Sequence, residues 1–104
     1  MRITGNPDIM VSDDFEWDDI KAATNLRDHK VSFDMARDVF ADPFIVEWID
    51  DGQSEIEQRI SAIGMVENRL FFVAYTMRGD AIRIISARLA EPFERRRYHN
   101  ENQT

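Results

Sequence analysis

Residues 81–88 read Ala-Ile-Arg-Ile-Ile-Ser-Ala-Arg, an apolar β run that carries two arginines and a serine. A charged side chain in a half-buried strand is costly unless it is paired or used. A guanidinium is the side chain best shaped to hold a phosphate through two parallel hydrogen bonds. The run therefore raises the question of whether this chain carries a local arginine site for nucleic acid.

Strand alternation limits what the two arginines can do together. In a regular strand Arg83 shares a face with Ile85, whereas Arg88 shares the opposite face with Ser86. Both arginines serve one site only if a bulge or the strand end intervenes. We expect Arg83 to point to the open face of the sheet and Arg88 to emerge at the end of the strand.

Three further strands are predicted before this one, at residues 44–49, 58–66 and 69–77. The connections carry turn residues, including Asp51-Gly52, Glu67-Asn68 and the glycine of Arg78-Gly79-Asp80. Strands joined by such short turns form an antiparallel meander.

Helices are predicted on both sides of the strands. Asp18 is suited to cap a helix over residues 19–29, and Ser32 a second helix that ends at Asp42-Pro43. Glu91-Pro92 is suited to open a terminal helix. The predicted fold class is α+β, with two N-terminal helices, a four-stranded antiparallel meander and a C-terminal helix. The expected organisation is a tail at 1–14, one domain at 15–99 and a tail at 100–104.

Composition narrows the class of protein. The 104 residues include no cysteine, which excludes disulfides, thiolate metal sites and thiol catalysis. No apolar run is long enough to span a membrane, and the first residues lack a signal-peptide core, so a cytoplasmic protein is expected. The net charge is −7, but residues 58–104 hold eight arginines against five acids. This distribution fits a phosphate-facing sheet beside an acidic half, or a solvated surface with scattered charges.

An ordered set of short motifs resembles the BrnT family of toxins from type II toxin–antitoxin systems. The motifs are Phe15-x-Trp17-Asp18, Lys21, Asn25-x-x-x-His29, Val31-Ser32-Phe33, Ala36, Val39-Phe40-x-Asp42-Pro43, Glu57-x-Arg59, Gly64, Gly79, Ile82-Arg83-Ile84-Ile85-Ser86-Ala87-Arg88, Glu94-Arg95 and Tyr98. One departure is Lys30, which stands where the family usually has glycine. Glycine would suit a left-handed position at a helix end, so we expect lysine to be strained there or the loop to bend differently.

The resemblance implies a RelE-like fold and a small ribonuclease that stops translation by cutting RNA without a metal or other cofactor. It also implies a BrnA-like antitoxin partner, which contacts operator DNA and represses the shared operon. The expected complex is a dimer of toxin–antitoxin pairs, with no role for a membrane. The alternative is a binding module without catalysis, which pairs with the antitoxin and contributes to operon autoregulation.

RNA cleavage without a metal needs a proton acceptor, a proton donor and cations that stabilise charge on the phosphate. The catalytic candidates are Arg59 and Arg83 for the phosphate, with His29 or Tyr75 for proton transfer. Each candidate has a structural alternative. The arginines can form surface ion pairs, His29 can cap a helix, and Tyr75 can pack in the core.

The candidates for substrate binding are Lys21, Ser86 and Arg88. Lys21 lies on a predicted helix, where a solvated side chain is the alternative. Ser86 and Arg88 belong to the strand that carries Arg83. The Arg95-Arg96-Arg97 run is expected to be a solvated helix face, or a surface that meets RNA or antitoxin acids.

Overall fold

The computed structural model describes residues 14–50 and 58–103, which form an α+β domain with a five-stranded sheet and three α-helices. In chain order the elements are β1 (Phe15–Glu16), α1 (Asp19–His29), α2 (Phe33–Asp38), a 3-10 turn (Val39–Ala41), β2 (Val46–Asp50), β3 (Arg59–Val66), β4 (Arg69–Arg78), β5 (Ala81–Leu89) and α3 (Pro92–Glu101). None of these helices has the length and apolar character needed to cross a membrane. The predicted Asp51-Gly52 turn lies outside the described residues.

The prediction of a four-stranded antiparallel meander is wrong in one respect, because the sheet is mixed. Its order is β1-β5-β4-β3-β2, and β1 pairs parallel with β5. The pairs are Phe15 with Ile82 and Glu16 with Arg83. Two residues have too little periodicity to reveal a strand, and a partner 67 residues away leaves no local signal. The antiparallel order of β2 to β5 is as predicted.

The predicted helix starts are confirmed. The Asp18 carboxylate accepts from the backbone N–H groups of Ile20 and Lys21, and the Ser32 hydroxyl accepts from that of Met35. These bonds satisfy donors that a helix start otherwise leaves open. Helix α1 ends at Lys30, which adopts a left-handed conformation with φ 62°. Of the two expectations for Lys30, the strained one is therefore correct.

Helices α1 and α2 cover one face of the sheet, which we call the helix face. Its core consists of buried side chains from α2, the 3-10 turn and the three central strands: Phe33, Ala36, Val39, Ala62, Phe71, Val73, Tyr75, Ile82, Ile84 and Ala87. Gly64 lies against this core, and a Cβ there would come within 2.6 Å of the Val39 side chain. The close approach explains why this position needs glycine.

The opposite face, which we call the far face, is covered by α3 at one end only. A second cluster lies under the helix: Val46, Ile63, Leu70, Ala90 and Tyr98. The Asp42 carboxylate links α3 to β3 at this end, since it accepts from the Tyr98 hydroxyl at 2.7 Å and from the Met65 backbone N–H at 2.8 Å. Burial and this bond raise the pKa of Tyr98. Helix α3 extends through Glu101, so the expected tail boundary at residue 100 falls inside it.

A β-bulge in β5 decides which side chains share the far face. Ile84 pairs with Tyr75 and Ser86 pairs with Ala74, so Ile85 is an extra residue in β5. Before the bulge the even-numbered residues Ile82 and Ile84 are buried, and after it the odd-numbered Ala87 is buried. The complementary residues, Arg83, Ser86 and Arg88, therefore lie together on the far face. In a regular strand Arg83 and Arg88 would lie on opposite faces, and this bulge is what places both on the same face.

Candidate nucleic-acid interface

Two arginines flank a threonine in a row across the far face. Thr76 pairs with Arg83 on one side. On the other side, the register that pairs Ile60 with Tyr75 places Arg59 beside Thr76. Strands in a sheet lie about 4.8 Å apart, so the two arginine Cα atoms are about 10 Å from each other. Two guanidiniums at this spacing can contact one phosphodiester or two neighbouring ones.

Acids stand at both ends of this row. Glu16 pairs with Arg83, and its Oε2 accepts from Arg83 Nη1 at 3.0 Å. Asp50 is the cross-strand neighbour of Arg59. The exposed fraction is 29% for the Arg83 side chain and 40% for the Glu16 side chain, so a ligand can reach this pair. Because the pair is partly solvated, its contribution to stability is small.

Arg59 differs from Arg83 in its partners. It is the first residue of β3 and is half-buried. Within the described residues, the Arg59 side chain makes no hydrogen bond or ion pair. The nearby acids Glu55 and Glu57 lie outside the described ranges.

The floor of the far face beside this row is made of small residues. Ser61, Ala74 and Thr76 are all buried, with Thr76 donating its hydroxyl proton to the Gln58 carbonyl at 2.7 Å. Ser86 pairs with Ala74 and is half-buried. Short side chains leave the longer arginines standing above the sheet. This arrangement gives a shallow surface with two guanidiniums between two acids, and an extended polyanion can approach it.

Arg88 shares the far face but has a structural partner. Its guanidinium donates two bonds of 2.9 Å to the Glu94 carboxylate, whose side chain is only 3% exposed. It also lies 4.3 Å from the centre of the Phe72 ring. The bond to Glu94 raises the pKa of Arg88, which therefore stays charged. This arginine links β5 to α3 and lies near the end of the strand, where we expected it to emerge. It is about 15 Å along the strand from Arg83.

The remaining predicted site residues lie away from this row. Tyr75 points to the helix face, where its hydroxyl donates to Glu47 and its ring meets Phe40 edge-on. His29 is exposed in the last turn of α1. Lys21 is exposed near the start of the same helix. The structure thus brings together Arg59, Arg83, Ser86 and Arg88, and places the two predicted proton-transfer residues on the other side of the sheet.

A pocket of about 460 Å³ lies elsewhere, between the 3-10 turn, the β3–β4 turn and α3. The side chains that line it include Asp38, Asp42 and Glu67, and none of the described lining residues is basic. A site with this charge repels a phosphate. We therefore place the candidate interface on the far face and not in this pocket.

Sequence reasoning missed Glu16 and Asp50 as neighbours of the two arginines. Glu16 was part of the Phe15-x-Trp17-Asp18 motif, but nothing in the sequence linked it to Arg83. The signal that could have found it is a parallel pairing of β1, which needs tertiary information. Within the described ranges, no three His, Asp or Glu side chains come together as ligands for a metal ion.

The fold and this face define a small α+β protein that presents arginines on one side of its sheet. A family model described as "Ribonuclease toxin, BrnT, of type II toxin-antitoxin system" matches residues 17–94. The chain belongs to this family of ribonuclease toxins, whose members act with an antitoxin partner. The match spans every described element except β1 and the last turns of α3. No curated protein matches the chain.

Proposed function

We propose that this toxin is a metal-independent endoribonuclease that inhibits translation by cutting RNA at the far face. The observation that carries the proposal is the row in which Arg59 and Arg83 flank Thr76 on a shallow, partly exposed surface. Single-stranded RNA needs a groove or face that follows its backbone, with cations at the phosphates. Family membership supports ribonuclease activity, and the row is a surface whose shape and charges suit such a substrate.

The chemistry at this row is a displacement at phosphorus. The 2′-hydroxyl loses its proton and attacks the adjacent phosphate, the bond to the 5′-oxygen breaks, and the leaving oxygen takes a proton. Negative charge grows on the phosphate oxygens as the transition state forms. Arg59 and Arg83 stabilise that charge, and removal of one such donor typically costs about 10²–10³ in rate.

The other predicted residues have different roles in this proposal. Ser86 lies near the row and contacts RNA, and Arg88 acts mainly through Glu94. His29 and Tyr75 remain predictions for proton transfer, and Lys21 remains one for substrate binding. None of these three shares the far face with the arginine row.

The partner in this proposal is a BrnA-like antitoxin, with operator DNA contacted through the antitoxin alone. The complex is a dimer of toxin–antitoxin pairs in the cytoplasm. The RelE-like character of the fold, expected from the resemblance, belongs to this proposal too. Supporting it are the antitoxin that the family implies and the single α+β architecture.

A non-catalytic antitoxin-binding module is the second candidate. One observation favours it: Arg83 and Arg88 are both paired with acids, and the two predicted proton-transfer residues lie on the helix side. Such a protein would bind its partner and help to repress the operon, but it would leave RNA intact.

The test compares Arg59→Ala and Arg83→Ala with Arg69→Ala. Arg69 is a matched control, because it is also a strand arginine but stacks on Phe71 at the helix face. We expect wild type to arrest growth and to cleave RNA equally with and without EDTA. Each far-face variant should lose cleavage by about 10²-fold or more. The salt dependence of its RNA binding should weaken by about 0.7 in slope per lost phosphate contact.

Three results bear against the proposal. Folded wild type that leaves RNA intact while still binding the antitoxin establishes the second candidate. Cleavage that disappears with EDTA refutes metal independence. Loss of cleavage in Arg69→Ala, with Arg59→Ala and Arg83→Ala active, moves the site to the helix face.

A further inference from the structure

Glu16 is the acid that lies directly beside the proposed phosphate site. It is the cross-strand neighbour of Arg83 on the far face, and its carboxylate is 3.0 Å from Arg83 Nη1. Neighbours in register on parallel strands project to the same side of the sheet. A phosphate bound by Arg83 therefore brings the adjoining ribose within reach of Glu16.

The contact leaves Arg83 able to bind RNA at the same time. A guanidinium has five N–H donors in a planar fork, and the contact to Glu16 uses Nη1. The remaining N–H groups can donate to a phosphate while Glu16 stays in place. The exposed fraction of 40% for the Glu16 side chain allows a second partner on the same carboxylate.

Other acids of the far face are less suited to act there. Asp50 lies beside Arg59 on β2, four strand spacings from β1, or about 19 Å away. Glu94 is buried and holds Arg88 with both oxygens. Glu101 pairs with Arg97 on α3. Glu16 is thus the acid that pairs with Arg83 in the sheet register, and its side chain remains accessible.

We propose that Glu16 is the catalytic base, which accepts the 2′-hydroxyl proton of an RNA substrate whose phosphate is held by Arg83; this inference rests on the proposed ribonuclease function. The proton passes from the 2′-oxygen to the Glu16 carboxylate as the 2′-oxygen–phosphorus bond forms. The bond from phosphorus to the 5′-oxygen breaks, and water supplies the proton to that oxygen. The products are a 2′,3′-cyclic phosphate and a 5′-hydroxyl, and Glu16 returns its proton to solvent.

The experiment compares Glu16→Gln with Glu16→Asp and with the control Glu101→Gln. Glutamine keeps the size and a hydrogen-bond acceptor for Arg83 but is a far poorer base. Glu101 is a matched control, because it is also an exposed acid in an ion pair with an arginine. Single-turnover cleavage is measured from pH 4 to pH 8 on an RNA that wild type cuts. Affinity is measured on the same RNA with a 2′-deoxy residue at the cleavage position.

We expect Glu16→Gln to lower the cleavage rate by about 10²–10⁴-fold, the usual contribution of a general base. Affinity for the deoxy-substituted RNA should change less than threefold. The rise of rate with pH on the acidic side should disappear in Glu16→Gln and persist in Glu16→Asp and Glu101→Gln.

Several outcomes overturn the inference. If wild type cleaves and Glu16→Gln stays within fivefold of it, Glu16 is not the base, and the proposed function stands. If Glu16→Gln loses affinity in proportion to rate and keeps its pH dependence, Glu16 only positions Arg83. If wild type does not cleave, both the inference and the proposed function fall. Circular dichroism confirms that each variant is folded.

Discussion

Asn25 is a buried polar residue on which we base one detailed prediction, the effect of Asn25→Ala on stability. Its side chain is 6% exposed and makes three hydrogen bonds. Nδ2 donates to the carbonyls of Val31 at 2.9 Å and Ala87 at 2.8 Å, and Oδ1 accepts from the Ala87 backbone N–H at 3.1 Å. Strand β1 pairs with β5 only at Ile82 and Arg83, so the Asn25 amide takes the place of a strand partner for the backbone of Ala87. These bonds also connect α1 to the sheet.

The expected cost follows from what Asn25→Ala leaves behind. The Ala87 N–H loses its acceptor, and the two carbonyls each lose a donor. A buried polar group without a partner costs about 1–3 kcal/mol, and carbonyls are the more tolerant groups. Water can enter beside the shortened side chain and recover part of this cost. We expect the free energy of unfolding to fall by about 3 kcal/mol.

Urea unfolding followed by tryptophan fluorescence measures this change. With a slope of about 1.5 kcal/mol per molar urea, the midpoint should fall by about 2 M. Thr24→Ala is the matched control, since it removes an exposed polar side chain from the same helix and should change stability by less than about 0.5 kcal/mol. A shift below 0.5 M in Asn25→Ala would refute the assignment of these three bonds as a main connection between α1 and β5.

Three further substitutions probe packing, backbone strain and the ion pair. Gly64→Ala should destabilise by about 2 kcal/mol, seen as a lower melting temperature, because its Cβ would meet the Val39 side chain at 2.6 Å and carbonyl at 2.9 Å. Lys30→Gly should raise the melting temperature by about 4 °C, since it removes about 1 kcal/mol of strain at φ 62°; an unchanged value would refute the strain. Arg88→Ala should cost about 3 kcal/mol in urea unfolding because it leaves Glu94 buried and unpaired. Adding Glu94→Gln should recover part of that loss, and full stability in Arg88→Ala alone would contradict the argument.

Local signals explain the parts of the fold that were predicted. Asp18 and Ser32 cap their helices because a short side-chain oxygen finds the first backbone donors within three residues. Gly79 and Asn68 take positive φ in the two tight turns, as their residue types allow. These features depend on neighbours in the sequence, so the sequence is sufficient to find them.

The candidate site was only partly predictable. Arg59 and Arg83 were identified as residue types suited to phosphate, and the structure places them on one face. The expected proton-transfer residues, His29 and Tyr75, were chosen for their chemistry and not their position. Tyr75 faces the helix side because it pairs with Ile60 and Ile84, both of which pack in the helix-face cluster.

By itself the sequence determined the family, the helix caps, the turns and the apolar strand that carries its arginines. Only the tertiary structure decided that Arg83, Ser86 and Arg88 share a face, since that depends on the bulge at Ile85. It also decided that Glu16 stands beside Arg83, through a parallel pairing across 67 residues. The physical reason is that side-chain direction in a strand has a period of two, so one extra residue changes the face of everything that follows.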